Sequence, residues 1–227
     1  MNKNPKGLTR RTVLSGAAAV GFSGLARAQQ PAEVKVGLIV PLSGIYTRPG
    51  QVMKMGAEMG IEHINKQGGI KALGGAKMKL VVIDCGDTTE KAKNAAQRMV
   101  AQETDLVAAT GAYLSSFTLA VTEVTERAEL PVLTLSYSDL LTERGFKYIF
   151  QTAAPASRQS ELGLPTLMKL AEAASGKRPK TVAMLMDNTA TSIATAKALK
   201  EKLFAQEGLQ LVVEEIWTPP LSDATPL

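Results

Sequence analysis

Val34 to Ile70, VKVGLIVPLSGIYTRPGQVMKMGAEMGIEHINKQGGI, reads as a buried strand, a turn and an amphipathic helix closed by two glycines. Val34 to Val40 is an apolar run of strand length. The helix, from about Gly50 to Gln67, sets Met53, Ala57, Gly60, Ile61 and Ile64 on one face, the period of a helix lying on a sheet. Gly56 and Gly60 would let that helix approach the sheet closely. Gly68-Gly69 ends it, because glycine tolerates the left-handed conformation of a helix C-terminus.

The same unit recurs along the chain. Strands are expected at Met78 to Asp84, Leu106 to Gly111, Leu130 to Leu135 and Tyr148 to Gln151. Helices fall between them, from Thr88 to about Glu103 with Ala92, Ala95, Ala96 and Met99 inward, and from Ser115 or Ser116 to Ala128 with Phe117, Val121 and Val124 inward. A long helix from about Ser157 to Ala174, a strand at Thr181 to Met186, a helix from about Thr191 to Glu207 and a strand at Leu211 to Trp217 continue the series. Helices alternating with nearly continuous apolar strands imply an α/β fold, a doubly wound parallel sheet covered on both faces. The pattern restarts near Thr152-Ala153-Ala154-Pro155, so residues 29–153 are expected to form one α/β lobe and 154–227 the start of a second. That second unit has only two clear strands, and a Pro-rich connection follows Trp217. The chain therefore reads as a fragment, or as one that needs a partner to complete the lobe.

Residues 1–28 read as an address. Lys3, Lys6, Arg10 and Arg11 precede the apolar Val13 to Leu25, and Ala26-Arg27-Ala28 is a small-x-small cleavage site. Thr9-Arg10-Arg11-Thr12-Val13-Leu14 resembles the twin-arginine export signal, with Val13 where that signal has Phe. This predicts passage through the Tat translocase to the periplasm. The leader holds five of the 26 basic residues and no acid, which leaves 21 basic against 21 acidic side chains. A nucleic-acid partner, which needs a clustered positive surface, is therefore excluded. Cys85 is the single cysteine and His63 the single histidine, so neither an internal disulfide nor a metal site is expected.

In open α/β sheets, ligands bind beyond the carboxyl ends of strands where the strand order reverses. With order 2-1-3-4-5, that point is flanked by Pro41-Leu42-Ser43-Gly44-Ile45-Tyr46 and Ala112-Tyr113-Leu114-Ser115-Ser116, with Ser136-Tyr137-Ser138-Asp139 beside them. These loops are rich in hydroxyls, and two lead into helix N-termini, which suit an anion. A carboxylate held by N–H groups and serines is the natural occupant. The plainer alternative is that Ser115, Ser116 and Ser138 only cap helices.

These segments, together with Asp84 and Asp87 before the second helix, Asn65 to Ile70 at the end of the first, and Leu141-Thr142, resemble the branched-chain amino-acid binding protein family. Those are type I periplasmic solute-binding proteins of ABC importers, and the resemblance spans Val34 to Leu227. It implies capture of a small organic solute (an amino acid, an amide, or an aromatic or short-chain acid) between two lobes, delivery to an inner-membrane ABC permease, no cofactor and no catalysis. By that resemblance Ser115 and Ser116 hold the ligand carboxylate, Ser136 and Ser138 supply further contacts, and Tyr46 covers the ligand from a position shifted from the usual one. Arg48 either adds a charge or is solvated. The family's Tyr-Gly after the first strand of the second lobe is replaced by Asp187-Asn188-Thr189-Ala190-Thr191-Ser192, and Leu114 stands where some relatives place a disulfide partner for Cys85.

Two other classes compete: a Tat-exported Rossmann-like enzyme, and the ligand-sensing domain of a receptor. The chain has no G-x-G-x-x-G after a strand, no Walker loop and no G-x-S-x-G elbow. His63 is better explained as part of a solvated helix face than as a base. Asp84 and Asp87 read as caps of the helix that follows rather than as acid–base groups.

Overall fold

The computed structural model describes residues 33–225. The leader reading falls on residues outside that range. Strand β1 (Val34–Val40) is flanked by β2 (Met78–Asp84) and β3 (Leu106–Gly111), and the sheet continues through β4 (Val132–Thr134) to β5 (Ile149–Gln151). The order is β2-β1-β3-β4-β5, and every pairing is parallel. Helix α1 (Thr47–Lys66) joins β1 to β2, α2 (Thr89–Gln102) joins β2 to β3, and α3 (Ser115–Arg127) joins β3 to β4. A one-turn helix, α4 (Leu140–Glu143), precedes β5.

Helix α5 (Ala156–Ser175) leads to a second, two-stranded parallel sheet, β6 (Thr181–Asp187) with β7 (Gln210–Trp217). Between these strands, α6 (Ala190–Ala198) runs through a π-helical stretch at Leu199–Leu203 into α7 (Phe204–Glu207).

The periodicity places the core residues. Ala92, Ala95, Ala96 and Met99 of α2 are buried, as are Phe117 and Val121 of α3, and Val124 packs partly buried against the same cluster. Small alanines on α2 let it pack on α3 over the sheet. A second cluster joins Leu164 and Met168 of α5 to Met184, Ala196, Leu203 and Phe204. Opposite faces stay open: Leu133 and Phe150, partners in register, are both exposed, as are Leu185 and Val213 on the small sheet.

Helix α1 departs from expectation in one respect. Gly56 and Gly60 point away from the sheet, with open space where a Cβ would be, and Ile64 is exposed. The close approach is made by Gly50, whose added Cβ would overlap the Pro41 carbonyl oxygen. A glycine at the start of α1 thus lets the helix enter against the β1 loop. At the other end Asn65 fixes the helix to β2: its side chain donates to the Met78 carbonyl and accepts the Met78 N–H, both at 2.8 Å. Gly69 follows at φ +79, where a side chain would also strike the Ala76 carbonyl.

Candidate functional site

The loops after β1, β3 and β4 meet at the carboxyl end of the sheet, and one carboxylate ties the first of them down. Asp84, the last residue of β2, accepts the N–H groups of Leu42 and Gly86, each at 2.8 Å. Burial pushes its carboxyl up, but the N–H bonds from Gly86 and Leu42, with Ser43, outweigh this and hold it below the usual carboxylate range. The expected capping role falls instead to Thr88, whose hydroxyl accepts the Lys91 N–H, while Asp87 pairs with Lys91 at 2.8 Å. An aspartate can cap a helix only from the residue just before it, and Thr88 occupies that place.

Ser115 and Ser116 do not cap α3 either. The cap position is Leu114, with no side-chain bond, so the first N–H groups of α3 are left to outside acceptors. Ser115 is buried, and its Oγ accepts the N–H groups of Tyr137 and Ser138, both at 3.1 Å. It therefore fastens the loop after β4 to the start of α3. The same Oγ lies 2.7 Å from Thr191 Oγ1 on α6, and Ser116 Oγ accepts the Ala190 N–H at 3.1 Å. Helix α6 likewise lacks a side-chain cap at Thr189. Two helix N-termini without caps of their own, one from each sheet unit, thus converge on a pair of serine hydroxyls, and Ser116 takes up the first N–H of α6.

The other expected site residues separate. Ser138 is fully buried, and its hydroxyl is without a hydrogen-bond partner among the described residues. Ser136 is different: its Oγ lies 2.7 Å from Thr118 Oγ1 and donates to the Tyr113 carbonyl at 3.1 Å. Its hydroxyl is taken up inside the fold, so a direct ligand contact by Ser136 is replaced by a supporting role. Gln151 of β5 holds the same loop by donating to the carbonyls of Ser136 and Ser138. Tyr46 packs beside the α3 entrance, its ring 5.8 Å from Phe117 in an edge contact and 6.1 Å from Tyr113. Burial, and then the negative charge of Asp187, raise its phenol above the usual value. Arg48 is exposed in the first turn of α1.

Sequence reading missed three residues. Tyr113 lines the mouth at φ +77, a conformation rare outside glycine, with its carbonyl held by Ser136. Thr191 and Asp187 belong to the segment noted only for lacking an aromatic. Asp187 accepts both the N–H and the hydroxyl of Thr189. Burial raises its carboxyl, and the bonds from Ser192 and Thr189 bring it below the ordinary value. Nothing in the sequence aligns Thr191 with Ser115, 76 residues away, and only the packing of α6 on α3 brings them together.

Cys85 is buried in the cluster that Leu114 packs against, and burial pushes its thiol up to about 12. His63 lies on the exposed face of α1 with Gln67. Among the described residues, no helix is long and apolar enough to cross a membrane.

A parallel α/β sheet with its loops gathered at the switch point, facing the helix of a second α/β unit, is the architecture of a two-lobed solute-binding protein. The chain belongs to the periplasmic binding protein family, whose model matches residues 33–227. It is 29% identical over 211 residues to the Leu/Ile/Val-binding protein BraC3 of Rhizobium johnstonii, covering 92% of this chain and 53% of that protein. It is 28% identical over 173 residues to Leu/Ile/Val-binding protein homolog 8 of Brucella suis, covering 75% of this chain and 41% of that one. The chain thus spans about half the length of the curated relatives it matches.

Among solved structures, it resembles the branched-chain amino acid transporter substrate binding protein LivJ from Streptococcus pneumoniae in complex with isoleucine. That match has a TM-score of 0.70 and 23% identity, and covers 86% of this chain and 52% of LivJ. A solute binding protein of an ABC transporter from R. palustris, in complex with 4-hydroxybenzoate, also gives a TM-score of 0.70, at 25% identity, covering 86% of this chain and 49% of that one. These relatives and neighbours are named as Leu/Ile/Val-binding, substrate-binding or solute-binding proteins, the R. palustris one of an ABC transporter.

Proposed function

We propose that this chain is the binding component of an ABC importer that captures a small organic carboxylate outside the cytoplasm and presents it to an inner-membrane permease. The observation that carries the reading is the meeting of the uncapped N-termini of α3 and α6 at Ser115 and Ser116, beside the unpartnered buried hydroxyl of Ser138. Free N–H groups and hydroxyl donors bind an anion without a formal cation. Tyr46 and Tyr113 provide an aromatic wall for the rest of the solute. Closure of one unit on the other stabilises whichever state holds the ligand better, and only by that difference in affinity. The Tat leader, periplasmic location and permease partner belong to the same proposal: the leader rests on the twin-arginine stretch Thr9 to Leu14, and the binding-protein relatives support the other two.

Solute choice has two branches. An aromatic or short-chain acid needs only the serines and helix termini. An α-amino acid also needs a partner for its ammonium, and Asp187, close enough to Tyr46 to raise its phenol, is an ionised carboxylate on that side. Calorimetric titration with 4-hydroxybenzoate, its methyl ester, leucine and 4-methylpentanoate separates them. Acids should bind and the ester should not. Leucine binding tighter than 4-methylpentanoate selects the amino-acid branch. Replacing Ser115 and Ser138 together by alanine should weaken binding strongly, and unchanged affinity in that double variant refutes the site.

A further inference from the structure

The bond between the two units has a polarity that can be worked out. A hydroxyl offers one proton and two lone pairs. Ser115 Oγ already accepts the N–H groups of Tyr137 and Ser138, so both lone pairs are used. Its proton therefore goes to Thr191 Oγ1, 2.7 Å away. Thr191 thus holds an acceptor oxygen at the N-terminal end of α3, fixed in place because the Ala190 N–H next to it donates to Ser116 Oγ. An acceptor oxygen on the Ser115 proton is also what a bound carboxylate would supply.

We infer that Thr191 is an internal competitor for the oxygen position of this site and so sets the affinity threshold that a solute must clear. The inference rests on Ser115 being a ligand residue, as proposed above. An incoming solute must displace the Thr191 oxygen from Ser115. A carboxylate does so with gain, because hydrogen bonds to an ionised acceptor are about twice as strong as those between neutral groups. An alcohol gains almost nothing, since it replaces one neutral oxygen by another. Thr191 thereby lowers the affinity of every solute by the same displacement cost, which the stronger bond of an acid overcomes, although no basic side chain makes any of these contacts. The same hydrogen bond draws α6 onto α3 without solute.

Thr191→Val keeps the β-branched shape and removes the oxygen, whereas Thr191→Ser keeps it. Two readouts are needed. The first requires no solute: the distance between spin labels at Gln97→Cys on α2 and Lys169→Cys on α5, both exposed positions, with Cys85 buried and unlabelled. Thr191→Val should lengthen or broaden that distance, and Thr191→Ser should leave it as in the parent. The second is calorimetry with 4-hydroxybenzoate and 4-hydroxybenzyl alcohol. Thr191→Val should bind the acid about three- to tenfold tighter, the worth of one neutral hydrogen bond removed from competition. It should bind the alcohol tighter by the same factor, because the displaced contact is common to both solutes. Unchanged label distances, or weaker acid binding in Thr191→Val, overturns the competitor role while leaving the solute site standing. No binding of the acid to parent or variant, whatever the labels show, overturns the site and the competitor role with it.

Discussion

Replacing Ser115 by alanine tests the centre of the site, and its cost follows from the bonds of one oxygen. The Ser138 N–H loses its acceptor where Ser138 is fully buried. An unsatisfied buried donor costs about 1–3 kcal/mol. Tyr137 is 43% exposed, so its N–H can turn to water, at about 0.5 kcal/mol. Thr191 loses a donor but can also be rehydrated. The expected loss of stability is about 1.5–3.5 kcal/mol, within the roughly 5–15 kcal/mol that a domain has in hand. Ser116→Ala is the matched control, since Ser116 accepts a single N–H, from Ala190, and should cost about 1 kcal/mol or less. Urea unfolding measures both. At a temperature where each variant stays folded, calorimetry with 4-hydroxybenzoate should show Ser115→Ala weakened about 10- to 150-fold, the worth of one bond to a charged group. If Ser115→Ala is no less stable than Ser116→Ala, the loop-fastening role is wrong; unchanged affinity refutes the carboxylate contact.

Three further outcomes follow from the same geometry. The Cys85 thiol, raised to about 12, keeps its proton when folded after it would lose it unfolded. Its stabilisation is therefore full below pH ~9 and lost at about 1.4 kcal/mol per pH unit as pH rises toward 12. Unfolding curves of parent and Cys85→Ala at pH 7, 9 and 10.5 should diverge by that slope, and parallel pH dependences contradict it. Asp84→Ala frees the N–H groups of Leu42 and Gly86 and should cost about 1–2 kcal/mol, with Asp84→Asn milder because one acceptor remains. Because the Asp84 carboxyl is held below its usual range, the stability it supplies is present above pH ~4 and disappears as pH falls further, so the Asp84→Ala penalty should vanish in acid. Ser136→Ala leaves Thr118 and the Tyr113 carbonyl short of a partner and should lower stability by about 1–3 kcal/mol, with a smaller effect on solute affinity than Ser115→Ala. An affinity loss as large as that of Ser115→Ala would return Ser136 to the ligand's first contacts.

Strand order, helix faces and the loops at the switch point were legible from the chain because they depend on local period and on short connections. The alanine face of α2 and the glycine end of α1 are properties of segments shorter than about 30 residues, and the strand order follows from repeating such units. Even there, Gly56 and Gly60 misled. Glycine spacing shows where a helix can approach, and only the orientation of α1 decides that Gly50 does so. The serines were also legible as a set, since hydroxyls crowd those loops, but their roles were not. Ser115, Ser136 and Ser138 look alike in sequence. In the fold, one fastens a loop, one is spent on a carbonyl and a threonine, and one is left unpartnered. A hydroxyl's function is set by which groups its proton and its two lone pairs reach, and those partners lie 18 to 76 residues away. The stretch from Val34 to Ile70 and its repeats determined the architecture by themselves, because burying alternate apolar strands under amphipathic helices admits few solutions. Which oxygen faces which proton across the two units was decided by the docking of α6 on α3, a long-range contact that no local pattern encodes.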